Sequence, residues 1–267
     1  MQAASELYRL REEIARIEGQ TKGFSSLAES TEKTWNFGFE EIDRNLPGGG
    51  LSMAGLHDCF SEQKVNIATV SAFLTRLLLR LPRAGPIIWC QSPFDAREHG
   101  EIHAPGLLNA GLSPQRIIHV SLPHARHMGF VLEAALAMAP VAAVVGEGAP
   151  LDFTETRRLS LIAAKGGVPC LYLNTEAVVE ASVARTRWRV RPLPSGGDPV
   201  DPKAPGPPAW GVELTRARGG RPGYWEITWD DKTHSFHPLS NVVDRPLPAA
   251  GDGAPPLFAE TGKRRTG

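Results

Sequence analysis

The chain has 267 residues, 42% of them apolar and 22% charged, which suits a folded protein with a sizeable core. Lys and Arg together number 29, as do Asp and Glu, so a wholly polybasic or polyacidic protein is excluded. With only 3 cysteines a disulfide scaffold is excluded and a reducing compartment is expected.

Residues 5–18 predict a short amphipathic helix. Leu7, Leu10, Ile14 and Ile17 recur at helical spacing, Ser5 suits the N-cap and Gly19 the stop. The segment is charged throughout and has no apolar stretch of the kind a signal peptide needs. No window approaches a membrane span, so a soluble, cytoplasmic protein is expected. Residues 20–34 are polar and read as a linker. The helical stripe needs a surface, either on its own domain or on a neighbouring subunit or partner.

From 35 to 175 strands and helices alternate. The stretch 51–60 predicts a strand entered from the glycine turn LPGGG, and 65–81 a helix with Ile67, Val70, Phe73, Leu74, Leu77 and Leu78 on one side. Strands follow at 86–91, 116–123, 141–148 and 168–174, and helices at 105–112, 129–139 and 153–167. Nearly continuous apolar strands separated by helices predict a mostly parallel sheet covered on both faces, an α/β fold. Beyond 185 the pattern changes. The stretch 185–194 alternates Arg with Trp, Val and Leu. Residues 195–208 form a Pro/Gly-rich loop. The stretch 210–231 predicts a β-hairpin, with Trp210, Val212 and Leu214 on one strand and Trp225, Ile227 and Trp229 on the other. The tail, from about 245, is expected to be disordered.

The strand–turn–helix at 51–81 is where a phosphate-binding loop would sit. Such a loop needs glycines so that backbone N–H groups wrap the phosphates, a Lys for their outer charge, and a hydroxyl for magnesium. Lys64 is present. Asp58 and Gln63 stand in the glycine places and Val65 in the hydroxyl place, while Asp58 and Glu62 would repel phosphate. The fourth strand ends in Gly146 where a magnesium-holding acid belongs. Glu147, one step on, is expected to face the other way. The second strand ends in Gln91, which cannot act as a general base. No bound cofactor and no catalytic residue are expected, a weak or unconventional ATPase that uses Lys64 being the alternative.

The stretches Trp35–Gly55, PIIWCQ, LSPQRIIHV, VAAVVGEG, VPCLYLN and WGVELTRARGGRPGYWEITWD resemble the RecA-like core, and specifically the ImuA family of SOS mutagenesis accessory proteins. The resemblance implies a RecA-like core carrying a C-terminal β-hairpin and an N-terminal helix, in three parts. These are the helix and linker (1–34), a RecA-like domain with a degenerate ATP site (35–245) and a flexible tail (246–267). It implies a bacterial cytoplasmic protein induced by DNA damage and serving translesion synthesis. The implied partners are ImuB, an error-prone DNA polymerase III alpha-type subunit, and RecA. Asn174 would echo the nucleotide-sensing amide at the end of RecA's strand. Self-association through the N-terminal helix would follow RecA's habit.

Three other features carry alternatives. Arg185, Arg187, Arg189, Arg191, Lys203, Arg216, Arg218 and Arg221 outnumber Asp198, Asp201 and Glu213. With Trp188, Trp210 and Trp225 among them, single-stranded DNA, a partner protein, or a plain exposed strand face over buried indoles are the open readings. Gly219 and Gly220 would let a backbone approach the turn. His99/His103 and His119/His124/His127 match no metal-binding pattern, and Cys59, Cys90 and Cys170 read as small buried hydrophobes. Pro256-Leu257-Phe258 is a short apolar plug in the tail that could dock in a groove.

Overall fold

In the computed structural model the chain is described over residues 33–176, 181–195, 204 and 206–239. The predicted helix with Leu7, Leu10, Ile14 and Ile17, the tail plug and most of the Pro/Gly loop lie outside these residues.

The chain enters through β1 (Thr34–Trp35), which pairs antiparallel with β2 (Leu51–Ser52) in a small two-stranded sheet. Between them lies a single helical turn, α1 (Glu40–Asp43), ahead of the glycine turn. The predicted 51–60 strand is therefore two strands. Residues 53–55 break it: the Ala54 N–H donates to Ser52 Oγ at 3.0 Å, and a Cβ on Gly55 would stand 2.5 Å from the Arg185 side chain. Only β3 (Leu56–Phe60) joins the main sheet.

The main sheet has nine strands in the order β11-β10-β9-β8-β3-β7-β6-β4-β5. Its remaining strands are β4 (Ile87–Gln91), β5 (Ile117–Ser121), β6 (Ala143–Gly148), β7 (Cys170–Asn174), β8 (Thr186–Leu193), β9 (Ala209–Ala217), β10 (Gly223–Asp230) and β11 (Ser235–Pro238). From β8 through β5 every neighbouring pair is parallel, and β9, β10 and β11 add antiparallel strands at the other edge. This is the α/β arrangement of a RecA-like core. Helices α2 (Ile67–Leu79), α3 (Pro93–His99), α4 (Ala104–Asn109), α5 (Met128–Leu136) and α6 (Phe153–Gly166) make the crossovers.

Alternation along the strands sorts the core into two layers. Helix α2 packs Val70, Phe73, Leu74 and Leu77 against Cys59, Trp89, Val145, Leu171 and Leu173. Helices α5 and α6 pack Leu132, Leu136, Leu159 and Ala163 against Ile88, Cys90, Val144, Cys170 and Tyr172. The hairpin strands close over the α2 side, where Phe37, Phe73, Trp210 and Phe236 form one aromatic cluster with centroids 5.5–6.2 Å apart.

Helix starts follow local chemistry. Ser92 caps α3, accepting from the Asp95 N–H at 3.1 Å with Pro93 in the first turn. Asp152 and Glu155 form a reciprocal capping box on α6, at 2.8 and 3.0 Å, and Gly167 ends that helix in the left-handed conformation. Asp152→Ala is expected to cost about 1 kcal/mol, read as a lower urea midpoint with an unchanged slope.

Candidate functional site

All the parallel strands point their C-terminal ends the same way, so the turns after β3, β4, β6 and β7 gather at one edge. In open α/β sheets ligands bind at that edge. Here it holds a group of polar side chains that are almost wholly buried: Ser61, Gln91, Ser92, Asp95, Glu147, Asn174 and Thr175.

Asp58 lies inside β3, third from its start, and not in the turn that follows. Its carboxylate is buried and meets Arg187 of β8 at 3.4 Å. Burial pushes its pKa up, opposed by Ser182, Arg187 and Arg216. The turn from β3 into α2 is correspondingly short and contains no glycine. Gln63 is extended, and Lys64–Asn66 form one tight turn before α2 begins at Ile67. The predicted 65–81 helix therefore starts late, and Val65 is left 82% exposed. The Lys64 side chain is exposed and makes no hydrogen bond or ion pair with the described residues. Ser61 Oγ is buried with no partner among them.

Gln91 and Glu147 stand directly opposite in register on β4 and β6. Gln91 Nε2 donates to Glu147 Oε1 at 3.0 Å and to the Gly100 carbonyl at 2.8 Å, and Trp89 Nε1 donates to Glu147 Oε2 at 3.3 Å. Gly146 and Glu147 do face opposite ways, as alternation demands. The carboxylate, however, is the one on the α2 side, where the β3–α2 turn also lies. Gly146 faces α5: a Cβ there would stand 2.8 Å from Leu132 and 2.9 Å from Tyr172. Burial raises the Glu147 pKa to about 7, with Trp89 and Gln91 opposing and Asp95 adding to the rise. The site therefore holds a carboxyl that titrates near neutrality, in a pairing invisible without the strand register.

Asn174 ends β7 with Oδ1 buried and without a partner among the described residues. Next to it the Thr175 hydroxyl reaches Asp95 at 3.3 Å, and Ser92 Oγ donates to the same carboxylate. Asp95 and His57 were the functional-looking residues that the sequence hid. His57 is fully buried in β3. Its Nε2–H donates to the Ser52 carbonyl at 2.9 Å, while Thr186 Oγ1, itself receiving the Trp188 N–H at 2.7 Å, donates to Nδ1 at 2.8 Å. Burial lowers the His57 pKa to about 4, so the ring is neutral.

No family model matches the sequence. Over 235 residues the chain is 34% identical to Protein ImuA from each of two strains of Caulobacter vibrioides, an alignment covering 82% of this chain and 93% of the relative. The chain belongs to the ImuA family.

In this ImuA-family chain the Arg/Trp region is a folded sheet whose indoles are turned inward. Trp188, Trp210 and Trp229 are fully buried and Trp225 is half-buried. Stacking of bases on Trp188 and Trp210 is therefore closed off, because both serve the core under the hairpin. Most of the arginines are engaged within the sheet. Arg187 meets Asp58, Arg189 is clamped between Glu62 and Glu213, and Arg191 reaches Tyr224 and Glu226. Arg216 donates to the Ser182 carbonyl at 2.6 Å. Arg218 and Arg221, at the β9–β10 turn, are exposed, and their side chains make no hydrogen bond or ion pair with the described residues. Gly220 permits a close approach within the chain: a Cβ there would lie 2.4 Å from the Asn45 carbonyl.

His99, His103, His119, His124 and His127 are scattered over α3, the start of α4, β5 and the approach to α5. His119 lies 3.8 Å from Glu101, and the His124 and His127 rings stand 5.5 Å apart. Among the described residues no three His, Cys, Asp or Glu side chains could share a metal ion. Nor is any helix among them long and apolar enough to cross a membrane. Cys59, Cys90 and Cys170 are free and buried. Burial pushes the Cys90 thiol up to about 12 and the other two higher still. A thiol reagent is expected to label none of the three in the native protein at neutral pH and all three in denaturant.

Proposed function

We propose that the chain is a non-catalytic accessory protein of damage-induced mutagenesis, acting as an adaptor that brings ImuB together with an error-prone DNA polymerase III alpha-type subunit for translesion synthesis. The carrying observation is the 34% identity over 82% of the chain to Protein ImuA. The edge geometry supports the non-catalytic half of the reading. Phosphate binding needs a run of open backbone N–H groups, a role that Asp58, held in β3 by Arg187, and the short turn at Gln63–Val65 do not fill. A magnesium-linked acid at Gly146 would collide with Leu132 and Tyr172, and Gln91 is no base. Lys64 alone remains from the nucleotide-binding set.

In this reading the three parts suggested by the sequence keep their roles. Residues 1–34 supply a helix whose Leu7, Leu10, Ile14 and Ile17 stripe meets a partner or a second copy. Residues 35–245 form the RecA-like body, and 246–267 the tail. Arg218 and Arg221, with Arg216 behind them, offer a contact for a partner or for single-stranded DNA, and RecA is a further partner. The compartment is the bacterial cytoplasm.

Light scattering after size exclusion, on the full chain and on a version lacking residues 1–34, each alone and with ImuB, tests the adaptor role. Binding of ImuB by the full chain is expected. Its absence, or ATP turnover abolished by Lys64→Ala in a folded protein, would sink the reading.

A further inference from the structure

Next to the buried polar group, and sharing Ser92 with it, a pocket of 450 Å³ opens between the turns after β4 and β5. Its apolar lining is Pro93, Phe94, Pro123 and Ala125, all four exposed. Arg97 and Arg126 bring positive charge to the lining, and His124 stands with them. No acidic residue lines it. Arg97 commits only its Nε, to the Pro93 carbonyl at 3.1 Å, and Arg126 makes no hydrogen bond or ion pair with the described residues. Arg44, Arg158, Arg187, Arg189 and Arg191 meet carboxylates, whereas Arg97 and Arg126 share a pocket whose lining holds none. Phe94 is 64% exposed at the pocket, and Phe130, one helical turn beyond Arg126, is 73% exposed. Large apolar side chains left in water beside unneutralised cations mark an interaction site.

We propose that this pocket receives an acidic peptide segment of a partner protein, with one bulky apolar side chain seated against Phe94 and flanking carboxylates on Arg97 and Arg126. The proposal rests on the adaptor reading only in supposing a protein partner. The chemistry selects a peptide over a nucleic acid. Single-stranded DNA needs cations that track its backbone over several nucleotides. Here the positive groups are confined to one pocket, and the adjoining α3–α4 segment carries Glu98 and Glu101. A bare inorganic anion would leave Phe94 and the rest of the apolar lining uncovered. Arginine supplies bidentate recognition of a carboxylate, and the anchor supplies buried area.

The test uses the full chain and a fluorescent short peptide in which a Leu-Phe pair lies between Asp and Glu residues, read by anisotropy. Binding is expected, weakening with added salt. Replacing the Leu-Phe pair by Ser-Ser, or the acids by Lys, is expected to reduce affinity by about tenfold or more. The paired substitution Arg97→Glu with Arg126→Glu is expected to do the same with an unchanged melting temperature, since both side chains are exposed. Phe94→Ser keeps the charges and should lose the Leu-Phe preference alone. Three results would overturn the proposal: no peptide binding at all, binding indifferent to these substitutions, or an oligothymidine that binds through Arg97 and Arg126 when the peptide does not. If the peptide binds only after residues 246–267 are removed, the chain's own tail is the occupant and the partner assignment falls. ImuB binding that persists while the peptide fails leaves the adaptor reading standing and sinks this one.

Discussion

Glu147→Gln should make the protein about 2 kcal/mol more stable at about pH 8, and slightly less stable near pH 4. The carboxyl titrates near 7 in the folded chain against an ordinary 4.5. As pH rises between those values the unfolded chain releases its proton first, so stability falls, by about 3 kcal/mol in all at roughly 1.4 per pH unit. Above 7 both states are ionised and the loss is complete. Glutamine carries no charge and escapes the loss. It gives up one acceptor to Trp89 or Gln91, worth about 1 kcal/mol. His57 works in the opposite sense. It titrates near 4 when folded and 6.5 when unfolded, so its contribution is full above 6.5 and disappears as pH falls to 4. Between about 4.5 and 6.5 the two slopes cancel. The variant exposes the His57 slope and should become markedly more acid-sensitive. Urea midpoints across pH for both proteins check this, and parallel curves would refute it.

Restoring the first glycine of a phosphate loop by Asp58→Gly is expected to destabilise the protein by about 4 kcal/mol without conferring nucleotide binding. The change strips a buried carboxylate from Arg187, whose side chain is 17% exposed, and places glycine inside a parallel strand between β7 and β8. Removing one member of a buried pair leaves the other's charge poorly solvated, which costs more than the pair itself contributes. Denaturant unfolding measures the first half of the expectation and nucleotide titration the second. A variant that stays near the parent stability would mean that Arg187 finds ample compensation.

The parallel strands were legible because a strand covered on both faces must be apolar almost throughout, as Val144, Val145, Cys170, Leu171 and Leu173 are. Helix α2 was legible through its single buried stripe. Strand β11 was not, since Phe236 alone of its residues is buried. Helix α3 carries no apolar stripe, although the Ser92-Pro93 start with Asp95 three residues on was a readable cap. Residue identities could say that phosphate-binding groups were wanting. They could not say that Asp58 sits in the strand, because its place depends on the shortness of the following turn. The Gln91–Glu147 pair depends on β4 and β6 being neighbours in register, which comes from topology and not from the order along the chain. The Trp residues of the hairpin followed the alternation, while the β8 arginines found partners both on the hairpin, at Glu213, Tyr224 and Glu226, and far away in sequence, at Asp58 of β3 and Glu62 in the turn after it.

Two of the buried indoles are wired to the two groups whose titrations oppose each other. Trp89 donates its N–H to Glu147, and Trp188 donates to the Thr186 hydroxyl that holds His57. The emission of an indole responds to charge near its ring nitrogen, so the molecule carries its own optical reporters. Fluorescence followed through pH should register Glu147 near neutrality through Trp89 and His57 under acid through Trp188. Substituting one tryptophan at a time would separate the signals, with no label attached and no unfolding required.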